Sequence, residues 1–295
     1  MFTSDRALST TVPDCSASRP VLAFSHGSSA INYQSYFLTE HLASHGWVIV
    51  APDHHGNTLW DDVEHRISLA LRRPIDIQDT VDWLFDTLAG PGGVLDGCVE
   101  PEAGYAISGH SFGGYTTLAS AGATIDLDAA LNFCENANEW LCGEVKNWAA
   151  SEHVMGRHDL GDERIWAAVP MAHAGYEILY TGLDEITVPI LVLGGGLDPG
   201  TTIESQIQPT YDGLLSAQPA YLGEIEQAGH FAFSNACDML SGNVGPECSD
   251  EYIEPAVAHD IIRTWTTAFL QEAQGRKDAE LYMPGGFSGI RWEAN

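Results

Sequence analysis

Lysine is almost missing from this 295-residue chain. Only Lys146 and Lys277 occur, and lysine and arginine together number 12 against 41 acidic residues, a formal net charge of −29. So acidic a surface repels phosphate backbones and anionic lipid headgroups, which excludes nucleic acid and anionic membranes as partners. A Lys-poor, acidic surface also suits a protein that stays hydrated in salt, and a saline habitat is expected on that ground. Long apolar runs are absent as well. None approaches the ~18 residues that a spanning helix needs, so no membrane insertion is expected. The opening Met1-Phe2-Thr3-Ser4-Asp5-Arg6 has no apolar signal core, and a start trimmed of its signal peptide is expected. No C-x-x-C occurs, which argues against a structural zinc or a redox motif. Nor is there an internal repeat or a linker rich in Pro, Gly or Ser. One domain over residues 1–295, active as a monomer, is the expectation.

What cysteine there is comes in an even number: Cys15, Cys98, Cys134, Cys142, Cys237 and Cys248. Two close pairs among six residues point to disulfides and an oxidising compartment, secreted or periplasmic. Cys134 with Cys142 and Cys237 with Cys248 are the natural local pairs, which leaves Cys15 with Cys98. Other connectivities stay open, as does the alternative of six buried thiols in a cytosolic protein.

Apolar runs alternate with helical patterns along the chain. Residues 20–25, 47–51, 105–108, 165–169, 189–193 and 220–225 read as buried strands. Helical spacing marks residues 33–44, 75–88 and 115–121, and a closing helix around Ile261, Ile262, Trp265 and Phe269. Continuous apolar strands between helices imply an α/β fold: a mostly parallel central sheet with helices on both faces. Residues 124–163 break the alternation. They are polar and acidic, hold Cys134 and Cys142, and carry Trp140 and Trp148. This stretch is expected to be a small cap-like insertion after the helix of residues 115–121.

Gly109-His110-Ser111-Phe112-Gly113 reads G-x-S-x-G, the pattern of the nucleophile elbow of α/β-hydrolases. Chance can supply such a pentapeptide in a chain with 30 glycines; its context, a β-like run before it and a small-residue helix after it, gives it meaning. A serine needs a base, a carboxylate to orient that base, and donors for the oxyanion. The hydrolase order Ser, Asp, His selects His230, in Ala228-Gly229-His230-Phe231 after a strand, over the later His259. It also selects Asp198, in the turn Gly194-Gly195-Gly196-Leu197-Asp198-Pro199, over Asp184 and Glu185. The oxyanion donors are expected at Phe112, behind the nucleophile, and Ser28, in the early loop Ser25-His26-Gly27-Ser28-Ser29. His173, Trp140 and Trp148 are candidate substrate walls. Asp53-His54-His55 has too few partners for a metal site, and no metal or cofactor is expected. Asp61-Asp62 and Ser249-Asp250-Glu251 read as solvated charge.

In these residues the chain resembles the predicted dienelactone hydrolase group, close to the platelet-activating-factor acetylhydrolase-like and polyester-hydrolase branches of the α/β-hydrolases. The likeness is carried in order by Phe24-Ser25-His26-Gly27, His41-Leu42-Ala43-Ser44-His45-Gly46, Ala51-Pro52-Asp53-His54, Arg73-Pro74-Ile75-Asp76, the elbow, Leu197-Asp198-Pro199 and Ala228-Gly229-His230-Phe231. It implies the α/β-hydrolase fold and a carboxylic ester hydrolase without metal or cofactor, with Ser111, Asp198 and His230 as its triad. Its expected partner is a small-molecule or polymeric ester: short-chain or aromatic esters first, a polyester as the alternative. A non-catalytic interaction protein on the same fold, or a lyase or haloperoxidase, are the rival readings.

Overall fold

The computed structural model describes residues 12–62, 65–151, 153–239, 246–276 and 289–295. Its elements run β1 (Val21–Ser25), α1 (Tyr36–Ser44), β2 (Val48–Val50), α2 (Arg66–Trp83), β3 (Tyr105–His110) and α3 (Phe112–Ser120). They continue with β4 (Ile125–Asp126), α4 (Leu127–Phe133), α5 (Cys142–Ala150), β5 (Arg157–His158), β6 (Ile165–Met171) and α6 (Tyr176–Leu179). The last are β7 (Ile190–Gly195), α7 (Gln208–Gly213), β8 (Ala220–Ile225), α8 (Ala236–Met239), α9 (Pro255–Ala273) and β9 (Ile290–Ala294).

Seven of these strands form one sheet in the order β2-β1-β3-β6-β7-β8-β9. Every pairing is parallel except that of β9 with β8. Strand alternation divides the core. Val21 and Ala23 of β1 face α2 and α3, beside Ile67, Ile77, Tyr115 and Leu118. Leu22 and Phe24 face α1 and α9, beside Phe37, Leu42, Ile262 and Phe269. Burying both faces of so apolar a sheet is the main driving force for this architecture. The chain has the α/β-hydrolase fold.

Two details differ from the expectations raised by the sequence. Helix α2 begins well before residue 75 and carries Pro74 within it. Its apolar stripe is interrupted by Arg66, Arg72 and Arg73, which hides its first turns from a periodicity count. Strand β9 has no counterpart among the expected strands. Its half-buried Ile290-Arg291-Trp292-Glu293-Ala294 gains its place by antiparallel pairing with β8 rather than by an apolar run.

Three disulfides join Cys15 to Cys98, Cys134 to Cys142, and Cys237 to Cys248. The Cys134–Cys142 bridge joins α4 to α5 inside residues 124–163, where β4 and β5 also pair antiparallel. No helix among the described residues is long and apolar enough to cross a membrane.

Candidate active site

Parallel strands put their C-terminal ends, and the loops that follow them, on one edge of the sheet. Ser25 ends β1, Ser111 follows β3, Asp198 follows β7 and His230 follows β8. Side chains more than a hundred residues apart in sequence are thus brought to one rim.

Ser111 sits between β3 and α3 with φ 59° and ψ −121°, a left-handed conformation that costs a non-glycine residue energy. The glycines around it permit the turn. A Cβ on Gly113 would collide with the Ser25 carbonyl oxygen, and one on Gly109 with the carbonyl of Gly113. A Cβ on Gly114 would lie 2.6 Å from the Cβ of His173. Helix α3 therefore packs directly on the neighbouring strands.

His230 and Asp198 meet: Nδ1 of the imidazole lies 2.7 Å from Oδ2 of the carboxylate. The Asp198 side chain is buried, and burial pushes its pKa up. Hydrogen bonds from His230 and Thr201 outweigh that and hold the carboxyl down at about 2. Thr201 is central to this. Its hydroxyl lies 2.6 Å from Asp198 Oδ2 and 3.2 Å from His230 Nδ1. The Gly200 and Thr201 amides each donate to Asp198 Oδ1 at 2.8 Å. With Nδ1–H given to Asp198, the other ring nitrogen of His230 is an acceptor.

The histidine loop is held by its backbone. The His230 N–H donates to the Glu247 carboxylate, and burial raises the pKa of Glu247. Cys248 is the next residue, so the Cys237–Cys248 bridge ties this carboxylate to α8. The His230 carbonyl accepts from His110 Nε2 at 3.0 Å. His110 in turn accepts at Nδ1 from Gln34 Nε2 at 2.6 Å, and Gln34 Oε1 accepts from the Gly27 amide at 2.8 Å. Burial keeps His110 well below the usual imidazole range, which preserves the neutral tautomer that this chain of bonds needs.

That relay fixes the loop after β1 against Ser111. A Cβ on Gly27 would approach the Ser111 Cβ to 3.4 Å. The Gly27 amide is spent on Gln34, leaving Ser28 as the next donor along the loop. Phe112 is the first residue of α3, whose opening N–H groups have no intrahelical acceptor. Ser28 is also anchored by its side chain, whose Oγ accepts from Asn57 Nδ2 at 3.2 Å.

Ser111 and His230 line one cavity of about 170 Å³. No hydrogen bond joins their side chains among the described residues. The cavity's apolar lining comes from Ala30, Ile31, Leu59, Phe231, Ala236 and Met239, and Gly27, Ser28 and His110 line it too. His173, Trp140 and Trp148 are not among its lining residues. His173 is fully buried beneath α3, and burial lowers its pKa to about 4. Trp140 meets the Phe112 ring edge-on, 5.1 Å between centroids. Trp148 packs against His65 and His153. No described residue of 124–163 lines this cavity. Gln34, Thr201, Glu247 and Arg73 escaped the sequence-based search for the site. Arg73 stands in the Arg73-Pro74-Ile75-Asp76 segment that carries the family resemblance; the other three lie outside every such segment.

Strand order, elbow and cavity define an α/β-hydrolase. Residues 1–135 match the family model described as Chlorophyllase, an esterase-related family of that fold. The matched stretch covers the loop after β1, α2 and the elbow. It speaks for a hydrolase of the esterase type. No curated protein matches the chain significantly. Among the described residues no cluster of three His, Cys, Asp or Glu side chains could hold a metal ion. His54 and His55 are engaged separately, with Asp76 at 2.8 Å and Asp61 at 3.1 Å.

Proposed function

We propose that the protein is a serine carboxylic ester hydrolase working through an acyl-enzyme. The 2.7 Å contact of His230 Nδ1 with Asp198 Oδ2 carries this reading, because it leaves the opposite ring nitrogen as a base on the cavity that Ser111 also lines. Ser111 Oγ attacks the ester carbonyl as its proton passes to His230 Nε2. The N–H groups of Ser28 and Phe112 hold the oxyanion. His230 then returns the proton to the leaving alcohol, and water, activated by the same imidazole, releases the acid and restores the serine. Asp198 keeps the imidazole in the useful tautomer. The base and nucleophile come into hydrogen-bond contact as the substrate closes on them, since such contacts are often long in substrate-free enzymes.

The cavity is small and its walls are apolar, which favours a short acyl chain or an aromatic ring. Half-exposed Leu59 lines the cavity and Trp60, mostly exposed, follows it. An apolar rim of that kind favours the alternative, a polyester chain lying across the mouth. The resemblance to the predicted dienelactone hydrolase and platelet-activating-factor acetylhydrolase-like group supports ester hydrolysis, and the Chlorophyllase match makes chlorophyll an ester worth including. Export to an oxidising, saline environment agrees with three disulfides and the acidic composition.

A fluorophosphonate probe and a panel of p-nitrophenyl esters and polyesters test the reading. We expect labelling at Ser111, preference for short acyl chains, and a fall in kcat of at least ~10⁴ in S111A. Equal turnover by S111A would overturn Ser111 as the nucleophile, and a wild-type protein that is neither labelled nor active on any ester would return the chain to the non-catalytic class.

A further inference from the structure

We propose that Arg73 is the positioning residue of the oxyanion hole, locking the Ser25–Ser28 loop to the front of α3 so that the Ser28 and Phe112 N–H groups converge. The inference rests on the ester-hydrolase reading and adds to it a residue outside the triad.

The Arg73 side chain is fully buried, yet no carboxylate among the described residues touches it. Its donors reach four neutral acceptors on three separate segments. Nε donates to Thr116 Oγ1 at 3.1 Å, on α3. Nη1 donates to Asn57 Oδ1 at 2.5 Å, on the loop after β2. Nη2 donates to Ser25 Oγ at 3.2 Å and to the His26 carbonyl, both at the end of β1. The guanidinium also covers the Phe112 ring, 4.7 Å from its centroid. A planar fork with donors in fixed directions can join three segments in one geometry; a lysine cannot.

Each proposed oxyanion donor is reached by a short path from this fork. On one side Asn57 accepts from Arg73 and donates to Ser28 Oγ at 3.2 Å. Asn57 also donates to Asp62 Oδ1 at 3.0 Å, and Ser29, held at φ 54°, gives its hydroxyl to Asp62 Oδ2 at 2.5 Å. Arg66 closes that group with two further bonds to Asp62. On the other side the fork grips α3 one turn beyond Phe112 through Thr116, and stacks on Phe112 itself. A polar chain leads away from the fork as well. The Ser25 hydroxyl, accepting from Arg73, lies 2.9 Å from His54 Nε2, and His54 Nδ1 lies 2.8 Å from Asp76 Oδ2. Donation runs from cation to anion through two neutral groups, so the buried charge is compensated at a distance by Asp76.

Burying a cation that has no direct ion-pair partner is costly, and a hydrophobic residue of that size would pack α2 more cheaply. What the cation offers instead is precise placement, and positive charge behind two donors whose work is to stabilise negative charge. Misplacement of such donors by ~1 Å is worth about 10²-fold in rate.

The test compares R73K, R73M and N57A with S111A, using active-site titration to count folded, reactive sites. Per titrated site, R73M should lose ~10²–10³-fold in kcat and R73K and N57A ~10–10²-fold, with KM within about threefold. The Ki of a boronic acid, which mimics the tetrahedral intermediate, should rise by the same factors. Acyl-chain preference should not change. Should R73M fail to fold, R73K and N57A carry the test. A lower melting temperature with unchanged kcat per site and unchanged boronate affinity would make Arg73 merely structural and overturn the inference. Undiminished turnover by S111A would instead overturn the Ser111 acyl-enzyme reading beneath it.

Discussion

Two Ser–His–Asp arrays lie side by side at the same edge of the sheet. One consists of Ser111, His230 and Asp198, the other of Ser25, His54 and Asp76. Their carboxylate contacts are nearly identical: 2.7 Å from His230 to Asp198, and 2.8 Å from His54 to Asp76. By residue type and spacing the Ser25 array is the better formed, since its serine is already hydrogen-bonded to its histidine at 2.9 Å. The difference lies in surroundings. Ser111 and His230 line a cavity, whereas Ser25 and His54 are completely buried. Ser111 is held in a strained turn that lifts it from the sheet; Ser25 is the last residue of a regular strand with Arg73 donating to its hydroxyl. A hydroxyl whose lone pairs are taken by a guanidinium is a poor nucleophile. Access, backbone strain and competing donors separate the two arrays, and the three residue types do not.

The sharpest way to break this comparison is to remove each serine oxygen in turn. S111A should lose at least ~10⁴ in kcat and all labelling by fluorophosphonate. S25A keeps the cavity and leaves Arg73 bound to His26, Asn57 and Thr116. It should cost about 1–3 kcal/mol of stability, for two buried hydrogen bonds lost, and no more than about tenfold in kcat. Urea unfolding and ester turnover measure the two effects. A dead S25A beside an active S111A would reverse the assignment of the arrays.

The two arrays also mark how far sequence reasoning reaches. Strands such as Val21–Ser25 and Ile190–Gly195 were legible because both sheet faces are buried and their residues are apolar throughout. Ser111, Asp198 and His230 could be singled out because each follows a strand and the loops of a parallel sheet share one rim. Contacts within that rim were not legible. Gln34, Thr201 and Glu247 act through hydrogen bonds made across loops, and nothing in their local sequence marks them. His54 read only as part of an Asp53-His54-His55 run with too few partners for a metal site, because Ser25 and Asp76 reach it only in three dimensions. Aromatic residues misled in the opposite direction. Trp148 is prominent in a polar stretch, yet its ring packs on His65 and His153 rather than on the cavity.

Replacing the carboxylates gives the next largest contrast. D198N should lower kcat by ~10³–10⁴ while KM changes little, because an amide opposite His230 favours the wrong tautomer and cannot stabilise the imidazolium. D76N places an amide oxygen where His54 Nδ1–H still finds an acceptor. Since His54 takes no proton in the proposed cycle, kcat should change by less than about tenfold. Steady-state kinetics on both variants decide the matter, and equal losses would mean that the arrays are coupled more tightly than their separate environments suggest.

The smallest contrast is in pH dependence, and it concerns histidines. His230 faces the cavity, while His26, His54, His110 and His173 are buried, and burial holds the pKa of each below the ordinary imidazole value. A histidine that refuses a proton when folded but accepts it when unfolded has no effect on stability above about pH 6.5. As pH falls, the unfolded state gains the proton alone and the fold weakens. For His173, with its pKa lowered from 6.5 to about 4, that loss accumulates between those values and approaches ~3 kcal/mol. Asp198 acts in a separate window. Its lowered carboxyl pKa of about 2 contributes stability above about pH 4, and that contribution disappears only as pH falls on toward 2. Urea midpoints of the wild type should therefore fall steadily from pH 7 to pH 4.5. H173L, which removes one of the buried imidazoles, should flatten that slope by up to ~3 kcal/mol without altering ester turnover at pH 7 by more than a few-fold. An unchanged slope in H173L would place His173 in contact with water rather than among the buried imidazoles such as His54.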